Sequence, residues 1–175
     1  IEIPNVLISP GSEDIDANCV TTNDYDSSKK MTQHIIKKGH KKIAFIKGHP
    51  DHLALSNRTN GYMDALEEAA IGINDSFIMQ GYNSYESGIE CGKQLIALKE
   101  KPTAIFAAND EMASGVMKVI LDSGYEVPKD FSIAGFDDTP VTQMLNPPLS
   151  TVKQPLEKMG ELAAKKLIAE LEGVD

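Results

Sequence analysis

Two pairs of polar residues follow apolar runs in this chain of 175 residues: Asn109 and Asp110 after "TAIFAA", and Asp137 and Asp138 after "FSIAGF". An aspartate accepts hydrogen bonds from neighbouring hydroxyls and an asparagine both donates and accepts, so such a set suits a polyol, a sugar or a nucleoside. The same residues also fit helix caps, because "NDEMA" and "DDTPV" each place a carboxylate or amide ahead of a helical turn. Capping is the expectation for Asp110 and Asp138, ligand contact for Asn109 and Asp137. A further signal is Arg58, the single arginine among 17 Lys and Arg residues. Lysine supplies the bulk positive charge here, whereas a planar fork of five donors pairs with a carboxylate or with two adjacent hydroxyls. The competing reading of Arg58 is an ordinary solvated side chain.

Other chemistries find less support. His49 and His52 in "HPDH" lack a third ligand at matched spacing, so no metal site is expected. The chain has no Gly-x-Ser-x-Gly elbow, no Cys paired with a nearby His, no phosphate-binding loop and no dinucleotide fingerprint. No catalytic residue and no cofactor are therefore expected. Asp110 with Asp137 as an acid–base pair is the remaining enzymatic reading, and no nucleophile or base completes it.

A formal net charge of -9 argues against a nucleic-acid surface within these residues, since phosphate contacts need clustered Lys and Arg. The hydrophobic content of 41% is ordinary for a globular chain, and no apolar run approaches the roughly 18 to 20 residues that cross a bilayer. A soluble protein without a membrane partner is expected. Cys19 and Cys91 stand far apart in no metal-like or redox-like spacing, which fits a reducing compartment and a cytoplasmic location. The opening "IEIPNVLISPG" carries no secretory signal and reads as the middle of a fold.

Elements that would position these groups alternate along the chain. Short strands are predicted at 19–24, 42–48 and 75–81, in "TAIFAAND", in "DFSIAGFDD" and at 149–152, the last within the proline-rich crossover "PPLSTVKQP". Helical spacing sets Met31, Ile35 and Ile36 on one face, then Tyr62, Leu66 and Ala69, then Ile89, Leu95 and Ile96. It continues in "EMASGVMKVILDSG" and in a last helix expected to pack Met159, Leu162, Leu167 and Leu171. Runs such as "IAFI" and "AIFAA", apolar on both faces, belong to a parallel sheet covered on each side. The fold class is thus α/β, a doubly wound parallel sheet, and the polar residues after its strands would share one rim.

The strings "GHKKIAFIKG", "NRTNGYMDALEEA" and "PTAIFAANDEMASGVMKVILDSGYEVPKDFSIAGFDDTPVTQMLNPPLSTVKQP" resemble, in this order, the effector-binding core of the LacI/GalR family of bacterial transcription repressors. The resemblance implies two subdomains of the periplasmic-binding-protein type I fold. Residues 1–17 would end the first and 18–175 form the second, with a DNA-binding headpiece and a final strand outside this chain. It implies a small-molecule effector, a sugar ahead of a purine, contacted by Arg58, Asn109 and Asp137. The position where the family often stacks an aromatic ring on its ligand is Asn83, with Tyr82 and Tyr85 on either side, and Asn83 and Tyr82 join the expected ligand set. Where relatives often carry an aspartate before the first helix, this chain has Asn23. The resemblance further implies operator DNA as a partner through the headpiece, and a homodimer through Ser84, Tyr85, Val141, Met144 and Leu145, the last two expected to be exposed in a monomer. A sugar-binding protein of an ABC transporter is the competing reading, since it shares fold and pocket.

Overall fold

The computed structural model describes residues 3–9 and 18–173. Two strands, β1 (Leu7–Ile8) and β2 (Cys19–Val20), pair in parallel and precede helix α1 (Asp24–Lys37). The chain then runs through β3 (Ile43–Lys47), α2 (Leu53–Glu68), β4 (Ile78–Gln80), α3 (Tyr85–Ala97), β5 (Ala104–Ala107) and α4 (Asp110–Asp122). It ends with β6 (Ser132–Asp137), α5 (Val141–Met144), β7 (Ser150–Lys153) and α6 (Leu156–Glu172). Among the described residues no helix is long and apolar enough to cross a membrane.

Five strands form one parallel sheet in the order β4-β3-β5-β6-β7. The sequence dictates its middle. Every residue of Ala104–Ala107, and the first four of Ile43–Lys47, are buried, as strands covered on both faces must be. Phe45 stacks on Tyr62 of α2 and meets Phe106 edge to face, while the Tyr62 hydroxyl donates to the Ile43 carbonyl at 2.8 Å. The connection from β3 to β4 runs one way along the sheet, and those from β4 to β5 and β5 to β6 run the other. With right-handed crossovers this sets α2 on one face and α3 and α4 on the opposite one, and α1 packs with α2. The reversal falls between β3 and β5, so a crevice opens beyond their carboxyl ends.

Helices α3 and α4 touch backbone to backbone through Gly88 and Gly115. A Cβ at Gly88 would collide with the Met112 carbonyl, and one at Gly115 with the Tyr85 carbonyl. That contact carries the Tyr82–Tyr85 turn close over the start of α4.

The remaining elements group apart. Helix α6 lies on β1 and β2 through Met159 and Ala163, which enclose Val20 with Val6 at its edge. Lys166 ties the helix to β2 by donating to the Asn18 side chain and the Cys19 carbonyl, both at 3.0 Å. Of residues 1–17, expected to end a first subdomain, 1–2 and 10–17 lie outside the described residues; β2 and α6 share a cluster with β1, not with the large sheet. Among the described residues the chain therefore crosses between the two clusters twice, over Thr21–Asn23 and over Gln154–Pro155. Two short strands offer α6 a narrow apolar surface. Leu162 and Leu171, expected inside, consequently stay exposed, along with Leu156 and Ile168.

Two local expectations also change. The strand expected to reach residue 24 stops at Val20, because the Asn23 side chain caps the Asp26 amide and starts α1 early. The strand expected from 75 begins at Ile78, after a 3-10 turn over Asp75–Phe77 stabilised by Asn74 accepting from the Ser76 amide. Residues 141–144 form the helical turn that follows "DDTPV".

The glycine contact yields a test. Gly88→Ala should destabilise the protein by about 1 to 3 kcal/mol by overpacking, whereas Gly160→Ala, in α6 with open space around it, should be neutral or stabilise by about 0.5 to 1 kcal/mol. Urea unfolding midpoints of the two variants check both.

Candidate functional site

Arg58 occupies the second turn of α2 and is 4% exposed. A guanidinium so deeply buried must find partners for its donors. Its Nε donates to Asp24 Oδ1 at 2.8 Å, and Nη1 donates to the Ala108 carbonyl at 2.5 Å and to Asp137 Oδ1 at 3.1 Å. The guanidinium carbon sits 3.6 Å from the centre of the Phe136 ring, a cation–π contact that fixes its plane. Asp24 in turn accepts from the Thr22 hydroxyl at 3.0 Å. Arg58 is therefore no solvated side chain. It joins the starts of α1 and α2 to the carboxyl ends of β5 and β6.

Asp137 shares one oxygen between two donors: Oδ1 accepts from Arg58 and, at 2.6 Å, from the Gln154 amide. Among the described residues neither Asp137 Oδ2 nor Arg58 Nη2 has a hydrogen-bond partner. No fully buried side-chain nitrogen or oxygen is left unpartnered there, so both atoms reach solvent. Burial pushes the Asp137 carboxyl above its usual range, with Asp110 adding to the rise, while Arg58 and Gln154 pull it back only in part. The ion pair and the raised value point in opposite directions, and desolvation is the larger effect.

Asn109 is the N-cap of α4. Its Oδ1 accepts from the Met112 amide and its Nδ2 donates to the Asn83 carbonyl, both at 3.0 Å. Asn83 holds the next turn down, its Oδ1 accepting from the His49 amide at 3.2 Å, and a side chain at Gly48 would collide with that oxygen. The Asn83 side chain is thus a strut between two loops of the rim. Tyr82 is 58% exposed at the outer edge, with its ring edge-on to His49, which packs in the same way against His52.

Asp110 differs from both expectations for it. It is fully buried but caps no helix: Oδ2 accepts from the Thr139 amide and hydroxyl at 2.8 and 3.2 Å, and Oδ1 from the Thr151 hydroxyl at 2.6 Å. With both oxygens engaged inside the fold, Asp110 staples the 137–139 turn to β7. The cap on α4 belongs to Asn109, where ligand contact was expected. Asp138 does not cap α5 either and lies 3.6 Å from the Lys153 ammonium. Asn83, Asp137 and Asp138 are three of the five described non-glycine residues with positive φ, at 63°, 115° and 61°. Each such conformation costs on the order of 1 to 3 kcal/mol, so the rim concentrates backbone strain in the way binding sites do.

Hollows of about 200 Å³ and about 390 Å³ flank this centre, one lined by Lys47, His49, Thr59 and Gln80, the other by Asp137, Lys153, Gln154 and Leu156. The structure thus brings Arg58, Asn109, Asn83 and Asp137 into one connected set, with Tyr82 at its margin. Sequence reasoning missed Asp24, Gln154, Phe136 and the clamping role of Asp110. A lone buried arginine demands a carboxylate, but nothing in spacing selects Asp24 from 26 acidic residues. Of the residues expected at a dimer surface, Ser84 caps α3 by accepting from the Ser87 amide, Tyr85 and Val141 begin α3 and α5, and Met144 is 80% exposed. Leu145, expected outside, packs against the core.

A parallel sheet with a polar crevice at its switch point, joined by two crossings to a second cluster, defines a ligand-binding domain of the periplasmic-binding-protein kind. The chain belongs to the periplasmic binding protein-like domain family, which matches residues 32–175, and within it to the LacI/GalR type. It is 37% identical over 167 residues to the probable HTH-type transcriptional repressor ExuR of Bacillus subtilis (strain 168), covering 95% of this chain and 50% of that protein. Among solved structures it is similar to a LacI-family regulatory protein from Chloroflexus aggregans, with a TM-score of 0.91 and 32% identity over 97% of this chain and 61% of that one. It is also similar to a sugar-binding LacI-family transcriptional regulator from Escherichia coli complexed with phosphate, with a TM-score of 0.90 and 32% identity over 98% and 62% of the two chains. The chain spans about half the length of the curated relatives it matches.

The raised Asp137 carboxyl gives a pH test. Between its ordinary value of 3.8 and the higher folded value, the folded state holds more protons than the unfolded state, so stability falls as pH rises through that window. Asp137→Asn removes this dependence. The unfolding free energy of the variant relative to the parent should therefore rise from pH 4 to pH 7, as measured by denaturant titration at each pH.

Proposed function

We propose that this chain is the effector-sensing region of a LacI-type transcription regulator, that a sugar binds at the Arg58–Asp137 centre, and that its binding alters the affinity of the whole protein for operator DNA. The observation that carries the reading is the half-used ion pair. Arg58 Nη2 offers an outward donor and Asp137 Oδ2 an outward acceptor, so two adjacent hydroxyls of a polyol would bridge them, one accepting and its neighbour donating. Asn109 retains one amide hydrogen for a third contact, and the exposed Tyr82 ring offers a planar face to a sugar's apolar side. The likeness to the sugar-binding regulator from Escherichia coli supports a sugar. A net charge of -9 supports placing the DNA contacts on a headpiece outside these residues. Met144 with Tyr85 would contribute to a homodimer surface, and a cytoplasmic location goes with a regulator. No catalytic role is proposed, because the carboxylate that would partner Asp137 is consumed by Thr139 and Thr151.

Calorimetric titration of the full-length protein with mono- and disaccharides and purines tests this reading. One sugar should bind saturably, and Asp137→Ala should weaken it by about 10- to 150-fold, the equivalent of losing a hydrogen bond to a charged group. Binding of a purine alone, or a variant that binds as well as the parent, would overturn it.

A further inference from the structure

Both crossings between the two clusters end on the Arg58–Asp137 centre. In the first crossing, Thr22 donates to Asp24 Oδ2 and Asp24 Oδ1 receives Arg58 Nε. In the second, the Gln154 side chain donates to Asp137 Oδ1 at 2.6 Å and its backbone amide to the Asp137 carbonyl at 3.3 Å. Arg58 closes the circuit, since its Nε and Nη1 reach the two carboxylates. Beyond the crossings the far ends are also joined, through Lys166 of α6 to Asn18 and Cys19 beside β2.

We propose that Thr22, Asp24 and Gln154 are positioning residues that link the two crossings through Arg58, so that the hydrogen bonds made at Asp137 set the geometry of both hinges together. Gln154 is the sensitive member, because it competes with Arg58 for a single carboxylate oxygen. Any group that draws on Asp137 redistributes that sharing. Arg58 then shifts against Asp24, and Thr22 follows. The inference builds on the proposed effector site but describes wiring present without effector.

Hydrogen exchange on the full-length protein without ligand tests it. Gln154→Ala alters only the second crossing, yet exchange should speed by about fivefold or more at the amides of residues 21–24 in the first, with α3 and α4 unchanged, in line with typical coupling energies between sites. Coupling is reciprocal, so Thr22→Val should speed exchange at Lys153, Gln154 and Leu156. This second variant also decides the matter should Gln154→Ala fail to fold. Faster exchange confined to the mutated crossing, or in neither, would overturn the proposal. A failed sugar titration leaves this outcome intact, because no effector is used.

Discussion

Everything at the rim of this domain depends on the burial of one positive charge. Arg58 lies almost entirely inside the fold, and an isolated guanidinium there would cost many kcal/mol. The structure meets that demand from three directions: Asp24 at the start of α1, the Ala108 carbonyl at the end of β5, and Asp137 at the end of β6. Each partner comes from a different element, so the ion cluster fixes how α1, α2 and the sheet meet. Removing one partner of such a cluster typically costs about 3 to 5 kcal/mol, because the remaining charge stays buried and uncompensated.

Supporting residues keep that centre in place by spending their polar groups on backbone. Asp110 holds the 137–139 turn with one carboxylate oxygen and β7 with the other, and it fits only because Gly135 leaves room for its carboxylate. Asn109 and Asn83 do the same on the other side, passing hydrogen bonds from α4 to the turn after β4 and on to His49. The positive φ at Asp137 and Asp138 is tolerated because Asp110 and Thr151 restrain the chain on both sides. Residues that resemble ligand contacts in sequence are thus of two kinds, those that face the crevice and those that hold its wall.

The sheet was legible in sequence because its strands are apolar on both faces, and the helices because their apolar residues recur at a helical period. "IAFI" and "AIFAA" leave no alternative to a covered parallel sheet, and the polar residues that follow such strands necessarily share one rim. Roles within the rim were not legible. Asn109, Asp110, Asp137 and Asp138 are adjacent pairs of similar chemistry, and which member turns outward depends on partners such as Thr139, Thr151 and Gln154, far away in sequence. Asp24 became visible only when tertiary packing brought α1 against α2. The small cluster misled for the opposite reason: α6 has a helical apolar pattern, but two short strands cover only Met159 and Ala163.

A binding site that were fully satisfied without its ligand would gain little from it, and one left wholly unsatisfied would be too costly to fold. The Arg58–Asp137 pair lies between these limits. Its inner atoms are paired, which supports the fold, and its outer atoms meet solvent, which leaves them able to exchange water for hydroxyl groups. Asp24, Arg58 and Asp137 together carry a formal charge of -1 when both carboxylates are ionised, and burial already disfavours ionised Asp137. A ligand hydroxyl that donates to Oδ2 stabilises the ionised form. On the proposed reading, because that same carboxylate holds Gln154, an effector's preference for one charge state would become a preference for one arrangement of the second crossing. A ligand shifts an equilibrium only by its differential affinity for the two states, and on the proposed reading a carboxylate shared between the buried Arg58 and Gln154 of the second crossing would provide such a difference.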